Sequence, residues 1–144
     1  MKLNRSDIER LLPHTDAMCF LDAVTDWDAY NIRCSAAAPD ESHPLLRNGK
    51  VPAIAAAEYA AQATALHGAL LDTATTPRAG MLAKLSDVEV HRVWFPADDT
   101  TLSVHATLIS RTMDGCLYSF DVASAHQPIA SGRLIVVFTS ITER

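Results

Sequence analysis

The sequence predicts a single α+β domain, residues 1–144, in which one long helix is covered by an antiparallel sheet. Three observations carry this. An alanine-dominated run at 53–71 has the highest helix propensity in the chain. After Gly80 the periodicity changes from helical to alternating. The alternating segments are separated by short breaks, "PADD", "MDG" and "HQP", and short turns favour antiparallel neighbours.

The elements follow in order. Ser6 with Glu9 three residues later has the pattern of a capping box, which opens a short helix through Leu12 before Pro13. Residues 18–38 read as two strands joined near Asp28 and Ala29. "PDESHPLLRNGK" is a loop rich in Pro, Gly and charge, and Pro52 stands where the first residue of a helix tolerates a missing N–H. The helix predicted over 53–71 would be roughly 28 Å long, with Gly68 its weakest position. Four strands are predicted at 81–95, 101–112, 116–124 and 129–139, forming a meander. One sheet must then cover one helix, and alanine lets the helix backbone lie close to it.

Composition excludes several classes. Twelve Lys and Arg against seventeen Asp and Glu give a net charge of −5, and the charges are scattered, which argues against a general nucleic-acid binder though not against a small local basic patch. No apolar stretch is long enough to span a bilayer, since Glu58, Gln62 and His67 interrupt the longest. The first residues show no secretory signal pattern. Cys19, Cys34 and Cys116 are odd in number and widely spaced, so they read as buried, reduced thiols of a cytoplasmic protein.

Glu58 raises the question of chemistry, because a carboxyl among alanines is costly to bury without a partner. Gln62 follows at i+4 on the same face, where its amide could orient the acid. Desolvation by Ala55, Ala57 and Ala61 would raise the acid's pKa and suit it to donate a proton. The helix start leaves the Ala53 and Ile54 N–H groups to stabilise a developing oxyanion. His43 in the preceding loop could be the complementary base. Spacing alone leaves the plainer alternatives open: a solvated or ion-paired Glu58 and a structural or exposed His43. His14 suits packing or capping, and His67 lies about two and a half turns beyond Glu58, so it is expected to point elsewhere. His91, His105 and His126 share no metal-ligand spacing, and no metal site is expected. Met18, Trp94 and Phe95 read as core or interface. Arg47, Lys50 and Arg78 are cations that could meet an acidic partner.

Three motifs carry a family resemblance. "LLPHTDAMCFLDAV" (11–24), "PAIAAAEYAAQA" (52–63) and, more loosely, "VWFPADDTTL" (93–102) resemble, in family order, the signature segments of 3-hydroxyacyl-[acyl carrier protein] dehydratases of the hotdog superfamily. The Glu-Tyr-Ala-Ala-Gln-Ala helix and the "HPLLRNGKVPA" loop resemble the divergent dehydratases of aryl polyene and xanthomonadin-type pathways. The resemblance implies a hotdog fold and paired protomers, a homodimer or a heterodimer with another hotdog dehydratase. It places the active site at their interface, with the loop His and the helix acid supplied by opposite chains. Residue by residue, Glu58 matches the acid, Gln62 its neighbouring Gln, Pro52 the Pro at the helix start and His43 the catalytic His. Ala53 stands where the family has a Gly whose N–H faces the thioester carbonyl. Pro-Leu-Leu-Arg replaces Phe-Pro-Gly after the His, and the interval from His43 to Glu58 is one residue longer than the family's. The implied reaction is dehydration of a 3-hydroxyacyl thioester on an acyl carrier protein. It needs no cofactor or metal, because the phosphopantetheine arm arrives with the substrate. A hotdog thioesterase and a non-catalytic partner subunit are the alternatives.

Overall fold

The computed structural model describes residues 2–12, 19–71, 79–96, 101–125 and 127–139, with the backbone alone at 79–83 and 138–139. Helix α1 (Arg5–Leu11) leads to strands β1 (Ala23–Trp27) and β2 (Asn31–Ala37). A 3₁₀ turn (Ala53–Ala55) opens helix α2 (Ala56–Leu71), and strands β3 (Ala79–Val90), β4 (Thr101–Arg111), β5 (Gly115–Ser124) and β6 (Gln127–Thr139) complete the order. The capping box of α1 lies two residues earlier than expected, at Asn4 and Asp7. Asn4 Oδ1 accepts the Asp7 N–H and the Asp7 carboxylate accepts the Asn4 N–H, both at 3.0 Å. Asn is as good a cap as Ser, and Glu9 is instead drawn to Arg5 at 3.1 Å.

All six strands join one antiparallel sheet in the order β1-β2-β4-β5-β6-β3. The short breaks do make β4, β5 and β6 a meander, but β3 lies on the far edge beside β6 rather than beside β4. The reason is in the segment after Val90, which sequence periodicity placed in the strand. It leaves the sheet to meet the start of the central helix: Val93 C=O accepts the Ala53 N–H at 2.8 Å and Val51 C=O accepts the Phe95 N–H at 2.9 Å. Those bonds take the place of a hairpin, and the next strand, β4, lies inside the sheet between β2 and β5.

Alternation fixes the inner face of the sheet. Ile32 pairs with Ala106, which pairs with Phe120, which pairs with Gly132; Cys34, Val104, Val122 and Ala130 form the next row. Gly132 leaves little room there, because a Cβ would come within 3.1 Å of Val88 and 3.2 Å of the Phe120 ring and those neighbours would have to give slightly. These rows pack on α2, whose Ala56, Ala60 and Ala63 are fully buried and let the backbones approach. The three cysteines are buried free thiols, and burial alone pushes the Cys34 thiol up to about 12.

One stripe of the helix escapes the sheet. Ile54 is half exposed, Glu58 and Ala61 are partly exposed and Ala65 is exposed, at steps of four, three and four residues. His67 lies off this stripe and is fully buried. Its Nε2 bonds the Asp28 carbonyl at 2.7 Å and its Nδ1 the Tyr118 hydroxyl at 2.7 Å. Since a carbonyl only accepts, Nε2 carries the hydrogen and Nδ1 accepts from Tyr118. Burial holds the ring neutral by lowering its pKa. His67 thus points away from Glu58, as its position along the helix predicted, and joins the β1–β2 connection to β5.

Candidate active site

The start of the central helix sets the first feature. Pro52, at φ −61° and ψ 140°, is the cap of the 3₁₀ turn rather than its first residue. The Ala53 N–H, which the resemblance has facing a substrate carbonyl, donates to Val93 C=O within this chain. Ile54 supplies the next amide of the first turn, where N–H groups lack intrahelical acceptors.

Gln62 forms the second feature. It is fully buried, and its Oε1 accepts the Phe20 N–H at 2.9 Å while its Nε2 donates to Glu58 Oε2 at 3.1 Å. The Phe20 N–H can only donate, so the amide has one orientation and Glu58 receives a fixed donor. The i+4 spacing that suggested this pair is realised. Glu58 itself is partly exposed rather than buried, because its stripe of α2 faces away from the chain's own sheet.

His43 sits in a loop shaped by Asp40, whose Oδ1 accepts from Ser42 N and Ser42 Oγ at 2.9 and 2.6 Å. The His43 backbone closes the turn, donating to Asp40 C=O and accepting from Leu46 N–H, each at 3.1 Å. Its ring bonds Leu45 N–H through Nδ1 at 3.1 Å and the Tyr59 hydroxyl through Nε2 at 3.0 Å. Phe20 packs on both rings, with centroids 4.5 Å from His43 and 4.9 Å from Tyr59, and Phe95 lies tilted against Tyr59 at 5.3 Å. Burial lowers the His43 pKa and the Asp40 charge opposes it only in part, so the ring is neutral near pH 7. Burial likewise pushes the Tyr59 phenol above its ordinary value.

Within one chain the ring hydrogen bonds of His43 go to Tyr59 and Leu45, and none joins it to Glu58. Tyr59 is the residue that sequence reasoning missed. The available signal was a lone aromatic with a polar tip in an alanine helix, since a buried phenol needs a hydrogen-bond partner.

His43 and Tyr59 line an open cavity of about 180 Å³, walled on its far side by Arg5 and Asp22. Asp22, from the quoted N-terminal motif, divides its carboxylate between Arg5 Nη1 at 2.9 Å and the Ala37 N–H at 2.8 Å. Arg5 Nη2 donates in addition to the Cys19 carbonyl at 2.7 Å. Near the helix start, the Lys50 ammonium lies 5.7 Å from the Trp94 ring centroid and Arg92 Nε donates to Trp94 C=O at 2.7 Å. Arg47 and Lys50 are exposed at the ends of a tight turn. Phe95 is core and Trp94 half-buried. His105 bonds Asn31 Oδ1 at 3.0 Å, and His91 lies near Ser131 at 3.5 Å. His14, Met18, Arg78 and His126 lie outside the described residues. Among the described residues no three His, Cys, Asp or Glu side chains gather as metal ligands, and no helix is long and apolar enough to cross a membrane.

A six-stranded antiparallel sheet packed on one long helix, with an acid and a glutamine one turn apart on that helix, is the arrangement of a hotdog domain. The chain belongs to the ApeP-like family, described as ApeP dehydratase, which it matches over residues 6–143. Among solved structures it resembles the dehydratase heterocomplex ApeI:P from Xenorhabdus doucetiae, with a TM-score of 0.84 and 20% identity over 94% of this chain and 93% of that one. A thioesterase from Haemophilus influenzae superposes with a TM-score of 0.71 at 11% identity, covering 99% of this chain and 94% of that one. A hypothetical thioesterase from Streptococcus pneumoniae, solved with coenzyme A, gives 0.63 at 11% identity, over 81% and 84%. At these identities the structural likenesses speak to the fold. No curated protein sequence matches the chain.

Proposed function

We propose that this protein acts in the dehydration of a 3-hydroxyacyl thioester, carried on an acyl carrier protein, to the trans-2-enoyl thioester. The setting would be cytoplasmic fatty acid or aryl polyene-type biosynthesis, with the site completed by a second hotdog protomer. The observation that carries the proposal is the buried Gln62 amide, which is anchored on Phe20 N–H and aimed at Glu58.

In this reading His43 takes the proton from C2, the C3–O bond breaks, and Glu58 gives its proton to the departing hydroxyl, which leaves as water. Gln62 holds the acid in place. The Ile54 amide and the partial positive charge of the helix start stabilise the enolate-like oxygen, in the role first assigned to Ala53. No cofactor or metal enters, because the thioester acidifies C2 and the phosphopantetheine arm comes with the substrate. His43 and Glu58 are not joined within one chain, and Glu58 lies on the stripe left open by its own sheet. A partner protomer seated there would take the carboxyl out of water, the condition for a proton donor, and bring a second loop to it. The partner is a second copy or a related dehydratase, as the ApeI:P complex is a dehydratase heterocomplex.

The test is to incubate the protein, alone and mixed with a hotdog dehydratase partner, with a 3-hydroxyacyl carrier protein and follow the mass of the acyl chain. Loss of one water, abolished by Glu58→Gln and by His43→Ala, supports the proposal. Release of free acid indicates a thioesterase. Turnover in the mixture that is unaffected by both substitutions indicates a partner subunit whose own site is silent.

A further inference from the structure

We infer that Arg47, Lys50 and Arg92 form the seat of a negatively charged protein surface, that of the carrier which brings the acyl chain. The identity of that partner rests on the function proposed above, and the surface that meets it follows from the geometry of one hairpin. Asn48 and Gly49, at φ 52° and 79°, form its two-residue turn, which needs positive φ at both positions. Arg47 and Lys50 flank the turn and exchange both backbone bonds, at 2.6 and 3.0 Å, so they stand directly opposite each other. Side chains so paired share one face, with Cβ atoms roughly 5 Å apart, and like charges there repel. Both cations are exposed. Arg47 Nη1 donates to Leu46 C=O at 2.9 Å and the Lys50 ammonium lies 5.7 Å from the Trp94 ring centroid, but among the described residues neither forms an ion pair. Arg92 brings a third cation to Trp94. Its partners are neutral as well: Nε donates to Trp94 C=O at 2.7 Å and Nη1 to Gln127 Oε1 at 3.1 Å.

Two like charges held side by side without a counter-charge cost the fold a little, and an anionic partner reverses that cost. The chain as a whole carries −5, so an acidic protein is repelled by most of its surface and attracted only where cations gather. The hairpin is also a useful place to be gripped. Arg47 follows His43 by four residues and Lys50 precedes Ile54 by four, so at most about 14 Å of chain separates each cation from the histidine or from the helix start. Both roots of the hairpin are pinned, by Leu46 N–H on His43 C=O at 3.1 Å and by Phe95 N–H on Val51 C=O at 2.9 Å. Val93, 70% exposed beside Arg92 and Trp94, offers an apolar contact at the edge of the charged patch. A carrier seated there presents its arm between the loop of His43 and the first turn of the helix.

The experiment measures binding of a purified acyl carrier protein in its apo form, without the phosphopantetheine arm, to the full chain. The dehydratase partner is included where turnover requires it, and the partner alone serves as the blank. Calorimetry gives Kd for the parent, for Arg47→Glu and Lys50→Glu, and for Arg133→Glu, which changes the net charge equally on β6, where Arg133 lies 4.0 Å from Asp87. Arg47→Glu and Lys50→Glu should each raise Kd by about 10-fold or more and flatten its dependence on salt, because a reversed charge turns attraction into repulsion. Arg133→Glu should raise it by less than about 2-fold, being screened from a carrier on the hairpin. Arg47→Glu also sets opposite charges across the turn, so its melting temperature should equal or exceed the parent's, and weaker binding is then no folding defect. In turnover, KM for the acyl carrier should rise with kcat unchanged, since docking serves ground and transition states alike. Equal Kd for all four proteins overturns the inference. Hairpin-dependent binding of free phosphopantetheine with no binding of the apo carrier overturns it too, and makes the cations a phosphate site. Loss of pairing with the dehydratase partner, with carrier binding intact, overturns it as a protomer contact. Hairpin-dependent carrier binding by a protein that never dehydrates the acyl chain upholds the docking surface and overturns the proposed reaction.

Discussion

Gln62 and Glu58 are joined across one turn of the central helix, 3.1 Å from amide nitrogen to carboxylate oxygen, and the other end of the Gln62 amide holds the Phe20 backbone. One side chain thereby ties the acid to the strand lead-in that also packs on His43. Gln62→Ala leaves the Phe20 N–H without its acceptor, and an orphaned buried donor costs about 1–3 kcal/mol. Urea unfolding should show that loss, together with reduced turnover. A midpoint equal to the parent's would show that Phe20 N–H finds another acceptor.

Glu58→Gln separates chemistry from stability. The side chain is partly exposed and nearly isosteric with glutamine, so the melting temperature should change little. Turnover should fall by roughly 10²–10⁴-fold, the usual worth of a positioned proton donor. Single-turnover mass measurements check the rate, and calorimetry checks the fold.

His67 sets a pH dependence of stability. Burial depresses its folded-state pKa below the unfolded value near 6.5, so the unfolded chain binds more protons in the interval between them. Its contribution is fully present above about pH 6.5 and declines as pH falls toward the folded pKa. His43 and His105, also depressed by burial, act in the same direction. His67→Phe should flatten the slope of stability against pH below about 6.5. The same variant also removes the His67 hydrogen bonds to the Tyr118 hydroxyl and the Asp28 carbonyl, and losing buried hydrogen bonds costs about 1 kcal/mol each. Unfolding curves at several pH values measure both effects, and an unchanged slope would remove His67 from the account.

Much of this architecture is legible in the residues, and the exceptions share a cause. Alanine at 53–71 and the alternation after Gly80 speak through local propensity, and the Glu58–Gln62 pair through helical spacing, so all three follow from short windows of sequence. The place of β3 does not, because its pairing with β6 joins residues some fifty positions apart, as in Met81 with Val137. Nor does the occupation of the Ala53 amide, which depends on Val93 arriving from forty residues away. Tyr59 was overlooked for the same reason: its meaning comes from a loop sixteen residues earlier. The exposure of Glu58 depends on which stripe of the helix the sheet covers, and an alanine helix has no amphipathic pattern to announce that.

Gly115 tests the register of the sheet. A Cβ there would fall on the Val136 carbonyl oxygen, a backbone atom with no room to yield. Gly115→Ala should destabilise the protein by about 1–3 kcal/mol, as overpacking does. Thermal unfolding checks it, and a neutral result would show that β6 can shift locally.

Ala61→Arg tests whether the open stripe meets another protomer. The position is partly exposed and the side chain can reach solvent, so the isolated chain should fold normally. Association should weaken, because a buried interface has no space for the new side chain. Analytical ultracentrifugation of the chain, alone and with a dehydratase partner, measures this. Unaltered association would place the contact on another surface.

The divided carboxylate of Asp22 has a consequence for handling the protein. It links the first helix, through Arg5, to the end of β2, from which the histidine loop departs. Shortening the chain at its beginning, or fusing a bulky tag against α1, would disturb a wall of the cavity that His43 also lines.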